Sequence, residues 1–145
     1  MNDLHNNARV LRVIDPIAIG ANATKTGKII DRQGYGGVEF IASYGAVTTT
    51  GTVVTLVVFE GDVTGTMTSV ADSNLLGTEA LASLPAATPR ASGTTMRVTK
   101  RVGYRGVKRY VRVDAVQTGV TSVGCVGVAA LLHNPVQSSS VQANP

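Results

Sequence analysis

Apolar and polar positions alternate along much of this chain, in short runs separated by glycine- and threonine-rich connections. Arg9 to Ile14 sets Val10, Arg12 and Ile14 on one parity, with Leu11 and Val13 on the other, and reads as a first strand stopped by Asp15-Pro16. Gly27 to Asp31 reads as a short second strand, followed by the turn cluster Gly34-Tyr35-Gly36-Gly37. From Val38 to Ala46 the pattern puts Val38, Phe40, Ala42 and Tyr44 on one face, and Glu39, Ile41 and Ser43 on the other. Thr48-Thr49-Thr50-Gly51 suits a hairpin connection. The next run, Val53-Val54-Thr55-Leu56-Val57-Val58-Phe59, is apolar at nearly every position and bounded by Glu60-Gly61-Asp62. A β-branched run this short predicts a central strand buried on both faces.

Residues 61–93 change character. Small and turn-forming residues dominate, and Pro85 and Pro89 interrupt any regular period. The leucines at 75, 76, 81 and 84 fit one short helix or two extended pieces. The stretch is expected to be a long irregular excursion that packs on a neighbour or lies over the sheet. Patterning returns at Thr95 to Val102, where Met96 and Val98 alternate with Arg97 and Thr99. After the turn Gly103-Tyr104-Arg105-Gly106 comes the clearest strand, Val107 to Val116. Val107, Val111, Val113 and Ala115 face one way; Lys108, Tyr110, Arg112 and Asp114 face the other. Arg109 falls by parity on the apolar face, either as an edge or interface residue or with its stem along apolar surface and its head in water. Val123 to Leu132 makes the last strand, apolar at both parities, which hints that another subunit covers one face. A helix over Val128 to His133 is the alternative, and Gly124 and Gly127 weigh against it.

Strands of this length at short spacing predict an all-β fold, a single-domain β-sandwich or β-barrel of about 7–8 strands. The domain is expected over residues 1–133, with 1–8 a flexible arm. Residues 134–145, rich in Ser, Gln, Asn and Pro, are expected to form a flexible tail. Composition agrees. Of 145 residues 43% are apolar and only 15% charged, which excludes a disordered body and a helical bundle. The segment Met1 to Asn7 lacks the order of a secretory signal, and the longest apolar stretch, Val120 to Leu132, is too short and too interrupted to span a membrane as a helix. The expectation is a soluble protein made in the cytoplasm, with no membrane partner.

Charge is placed unevenly. Residues 1–89 carry five basic and eight acidic side chains, a net −3, whereas residues 90–145 carry eight basic and one acidic, a net +7. Seven of those eight cations are Arg97, Lys100, Arg101, Arg105, Lys108, Arg109 and Arg112, a window without Asp or Glu. Such a window is either a contact surface for something acidic or a solvated face balanced in space by the acidic first half. Direct nucleic-acid binding is not expected, because Tyr104 and Tyr110 make no stacking platform and no recognition helix is visible.

Candidate chemistry is sparse. His5, His133 and the lone Cys125 offer no metal-ligand spacing, and Cys125 in its Val/Gly/Ala context reads as a small buried residue. Gly34-Tyr35-Gly36-Gly37 lacks the helix start of a phosphate loop, and only Glu60 and Asp62 are close carboxylates. No cofactor is implied, and an enzyme is not expected.

Four segments carry a resemblance. They are Asn2-Asp3-Leu4-His5-Asn6-Asn7 with Arg12-Val13-Ile14-Asp15-Pro16, then Gly34-Tyr35-Gly36-Gly37-Val38-Glu39-Phe40, then Leu75-Leu76-Gly77-Thr78-Glu79, and finally Val102-Gly103-Tyr104 leading to Lys108-Arg109-Tyr110-Val111-Arg112-Val113. Together they resemble a family of small structural proteins of tailed bacteriophages, over most of residues 2–133. The resemblance implies a head decoration, or cement, protein that binds the outer capsid, often as a trimer, with the major capsid protein as its partner and the virion as its location. A head–tail connector or tail protein is the alternative within the virion, and a small basic nucleic-acid-binding protein an alternative outside it. Contact residues implied on this reading are Asn2, Asp3, Leu4 and His5 from the arm, with Arg97, Arg101, Arg105, Lys108, Arg109 and Arg112 from the basic window.

Overall fold

Alternation in the sequence becomes alternation of burial in the structure, a computed structural model that describes residues 3–47, 51–85, 97–121 and 124–136. The strands in chain order are β1 (Arg9–Ile19), β2 (Ala23–Thr26), β3 (Ile30–Asp31), β4 (Tyr35–Tyr44), β5 (Val53–Val63), β6 (Thr66–Ser69), β7 (Leu75–Leu76), β8 (Val98–Tyr104), β9 (Tyr110–Thr118) and β10 (Gly124–Pro135). Two single helical turns accompany them, α1 (Leu4–Asn7) and α2 (Glu79–Ala82). One sheet has the order β1-β10-β4-β8-β7, and the second has β2-β9-β5-β6 with β3 beside β2 on the same edge of β9. Every pairing is antiparallel. The two sheets pack as a sandwich and do not close into a barrel. The expected all-β single domain is therefore present, with short pieces such as β3 and β7 raising the strand count.

The core lies between the sheets. Val38, Phe40, Ala42 and Tyr44 of β4 meet Val126, Val128, Ala130 and Leu132 of β10 from the first sheet, against Val54, Leu56 and Val58 of β5 and Val111, Val113 and Ala115 of β9 from the second. Register puts Phe40 between Ala130 and Val102, so a large side chain is flanked by small and β-branched neighbours.

Several expectations are corrected. β1 does not stop at Asp15-Pro16. It runs on to Ile19 as an edge strand, where the missing proline N–H need not cost a ladder bond. Register shifts between Arg12 and Ile14, and again before Ile17, bend the strand so that the neighbours Val13 and Ile14 are both buried. Neither β5 nor β10 is buried on both faces: Val53, Val57 and Phe59 are half-buried and Thr55 is exposed, and Cys125, Gly127, Ala129 and Leu131 are half-buried. Cys125 is therefore not a core residue but an outer-face one. The helical alternative for 128–133 is replaced by strand. β4 begins at Tyr35, inside the glycine cluster, and β9 begins only at Tyr110, which leaves Val107, Lys108 and Arg109 in the preceding loop.

The stretch from 61 is more regular than expected. β5 continues to Val63 and turns back as β6. Residues 75–84 combine both readings, with extended Leu75–Leu76, one helical turn at Glu79–Ala82 and an isolated bridge from Leu84 to Val54. Residues 86–93 of that stretch, Thr95 and Met96, and the tail beyond residue 136 lie outside the described residues.

This segment acts as a strap along β5, whose outer edge is paired with β6 only from Phe59 onward. Below that point the strap supplies the partners. Val54 N–H donates to Leu84 O (3.0 Å) and Val54 O accepts from Leu84 N–H (2.8 Å), Leu56 N–H donates to Ser83 Oγ (2.8 Å), and Val58 N–H donates to a Glu79 carboxylate oxygen (2.5 Å). The first sheet holds the strap as well, because Tyr44 Oη donates to Ala82 O (2.7 Å) and Lys100 Nζ to Ser83 O (2.7 Å). An open sheet edge is thus covered without another strand.

Candidate functional site

The basic window does not form one face. β8 belongs to the first sheet and β9 to the second, so Arg101 and Arg112 project from opposite outer faces of the sandwich. Arg101 is paired with Glu39 (3.6 Å) on the neighbouring strand. Arg112 lies over the Phe59 ring (4.7 Å to its centroid) and against the buried Asp114 carboxylate (2.9 Å). Lys100 points inward under the strap, and Arg97 is exposed just before β8.

Arg105, Lys108 and Arg109 gather in the loop between β8 and β9. Arg105 donates to Ser73 O (3.1 Å), Lys108 pairs with Asp62 (2.5 Å), and Arg109 forks onto Asp31 (2.7 and 3.0 Å). Arg109 is not on an apolar face, since it precedes the strand and its head is about half exposed. The acidic first half therefore balances much of the basic window in space. Exposed pairs of this kind contribute little to stability, roughly 0–1 kcal/mol each, but they remove free positive charge from the surface. The Arg109 guanidinium holds the Asp31 carboxyl below the usual carboxylate range.

A residue outside the basic window organises the loop. Arg32, between β3 and β4, donates to Lys108 O (2.5 Å) and Gly106 O (2.6 Å), and on its other side to Gly36 O (3.0 Å). Its guanidinium also lies over the Tyr104 ring (5.3 Å). Tyr104 is buried; its hydroxyl donates to the Glu60 carboxylate and accepts from Lys108 N–H (3.1 Å). Burial, reinforced by that carboxylate, pushes the phenol above its ordinary value. Gly106 sits so close to the Tyr104 ring that any Cβ there would strike it. The signal for Arg32 was present but indirect: glycine-rich loops at 34–37 and 103–106 offer bare carbonyls, which an arginine fork suits.

The outcome of this bracing is a fixed loop whose apex, Val107, is 88% exposed. Beside it lies a shallow hollow of about 280 Å³ lined by Arg32, Gln33, Gly34, Tyr35, Val107 and Arg109. At the N-terminus, Asp3 caps α1 by accepting from His5 N–H (2.9 Å), while Leu4 and His5 are exposed and the turn packs against β10. Asn2 lies outside the described residues. Among the described residues no three His, Cys, Asp or Glu side chains are grouped to hold a metal ion, and no helix is long and apolar enough to cross a membrane.

A third surface is the outer face of the first sheet. Register aligns exposed Val10 with Leu131, Glu39, Gly103 and exposed Leu76 across it, and Arg12 with Ala129, Ile41 and Arg101 in the next row. Cys125, Gly127 and Ala129 keep the β10 part of that face low.

No family model matches this chain, and no curated protein does. Among solved structures, a chain of one titled "Structure of infectious bursal disease virus Gx strain" superposes with a TM-score of 0.35 and 14% identity, over 95% of this chain and 42% of that one. This chain therefore spans less than half of that chain's length, and a superposition so loose carries no argument about fold or function.

Proposed function

We propose that this chain is a structural protein of a bacteriophage virion, a trimeric decoration protein that binds the major capsid protein on the outer head and reinforces the DNA-filled shell. One observation carries the reading. Three of the four segments that bear the resemblance, far apart in sequence, meet around Tyr104: it pairs with Val38 and Leu75, Gly103 pairs with Glu39 and Leu76, and its hydroxyl accepts from Lys108 N–H. Those three segments therefore share one end of the sandwich, which supports reading them together.

The outer face of the first sheet supports an adhesive role, since Cys125, Gly127 and Ala129 keep its β10 part low enough for a partner to approach closely. Many modest contacts repeated by symmetry would then hold through avidity. Pairing of Arg101, Lys108, Arg109 and Arg112 with carboxylates favours a protein partner over a phosphate track. Quantitative gel densitometry of purified virions tests the reading. A copy number comparable to that of the major capsid protein is expected, whereas a ring-sized copy number would move the chain to the head–tail connector or tail.

A further inference from the structure

β1 is an edge strand with one side left open. β10 pairs along one side of it from Arg9 to Ile19, and among the described residues no strand pairs along the other. The second half of that open edge is blunted. Register shifts after Arg12 and again before Ile17 distort it, Pro16 has no N–H, and Val13 O already accepts from Lys28 N–H (2.9 Å). The first half, Arg9-Val10-Leu11-Arg12, is regular and makes no backbone bond along its open side among the described residues. Register fixes what each of its side chains presents. Arg9 and Leu11 pair with the core residues Leu132 and Ala130 and share the inner face, whereas Val10 and Arg12 pair with Leu131 and Ala129 and share the outer one. Val10 is 68% exposed. Each face of the open strand thus offers one apolar side chain and one cation.

The surroundings are cationic. Lys25 pairs with the core residue Ala115 and so lies on the side of β2 toward the first sheet, and Lys28 is held beside Val13. Arg9, Arg12, Lys25 and Lys28 are all exposed. Among the described residues Asp15 is the one carboxylate paired with any of them, shared by Arg12 (2.5 Å) and Lys28 (3.4 Å). A second copy is a poor occupant of this edge. In-register antiparallel pairing with the same segment of another copy sets Arg9 against Arg12 twice, and like charges directly opposite each other destabilise a strand pair. We propose that this edge accepts an extended acidic segment of a partner protein as an added strand, with the order acidic-apolar-apolar-acidic set against Arg9-Val10-Leu11-Arg12. That order reads the same in both directions, so it suits a parallel or an antiparallel strand. Main-chain hydrogen bonds supply the attachment, and the cross-strand ion pairs select the partner. The inference goes beyond the virion reading, because it defines the partner by backbone and charge alone.

A short fluorescent peptide with the core Glu-Val-Val-Glu, titrated with the full chain and followed by anisotropy, tests it. Binding is expected to be about tenfold or more tighter than that of the same peptide with lysine in place of both glutamates. The double variant Arg9→Glu with Arg12→Glu changes exposed positions only, and circular dichroism checks its fold. It is expected to invert that preference. N-methylation of both valines of the peptide tests the backbone, since neighbouring N–H groups of a strand point to opposite sides and one of the two must face the edge in any alignment. A loss of about tenfold or more is expected there, whereas attraction by charge alone would leave binding unchanged. No binding of the glutamate peptide, equal binding of the glutamate and lysine peptides, an unchanged preference in the double variant, or equal binding of the methylated peptide would each overturn the proposal.

Discussion

Arg32 makes one end of this protein what it is. Its guanidinium donates to the carbonyls of Gly36, Gly106 and Lys108 and so joins the loop before β4 to the loop before β9. Lysine keeps the charge but lacks the planar fork, so Arg32→Lys is expected to destabilise the fold by about 1–3 kcal/mol in urea titration and to speed amide exchange at residues 105–109. Tyr104 acts from beneath. Its phenol is held neutral by burial and by the Glu60 carboxylate, so its pKa in the fold is raised. A raised pKa means that the folded state holds the proton more tightly. Stability from this group is complete below about pH 10, the unfolded value, and falls as pH rises beyond it. Tyr44 is raised in the same direction by burial alone. Unfolding free energy is therefore expected to decline steadily above about pH 10, less so in Tyr104→Phe than in wild type. On the acid side Asp31 is lowered by Arg109, so its contribution is lost as pH falls through the depressed value, and that contribution is small because both groups are half exposed.

At the scale of elements, the strap decides whether the second sheet has an exposed edge. Ser83 Oγ accepts from the fully buried Leu56 N–H and donates to Glu79 O (2.6 Å), which fixes the strap's own turn. Ser83→Ala removes the acceptor without opening a route for water, and an unsatisfied buried N–H costs about 1–3 kcal/mol. The expected result is a loss of that size, with amide exchange accelerated at Val54, Leu56 and Val58 and unchanged in β10. Which of these features could be read from sequence follows from their range. Alternation is local, so β4 and the inward face of β9 were legible residue by residue. Bulges, edge positions and side-chain partners are not local. Pro16 ends a central strand but not an edge strand, and Asp31 answers Arg109 only because β3 lies on β9. The cations of the candidate site were likewise visible, and so was Asp114 two residues beyond Arg112, while the carboxylates that pair with Lys108 and Arg109, and the arginine that aims the loop, depend on tertiary contacts 46 to 78 residues apart.

The whole molecule poses a problem of order. β10, the last strand in chain order among the described residues, is not at an edge; it lies between β1 and β4, pairing with β1 from Arg9 to Ile19 and with β4 from Tyr35 to Tyr44. The first sheet therefore cannot be completed until β10 has been made, and its β1–β10 ladder joins residues more than a hundred positions apart. Closing loops of that length before any contact rewards them slows folding, which is why sandwiches with non-local pairing fold on roughly the millisecond-to-second scale. Refolding from urea, followed by stopped-flow tyrosine fluorescence in this tryptophan-free chain, is expected to fall in that range. A chain ending before Gly124 tests the topology behind the rate. It would lack Val126, Val128, Ala130 and Leu132 from the core and leave β1 and β4 unpaired at their facing edges. It is expected to show no cooperative unfolding transition and to regain one when a peptide spanning residues 120–136 is added. A truncated chain that unfolds cooperatively without the peptide would mean that the second sheet and its strap form a stable unit alone, and that the first sheet is built upon it afterwards.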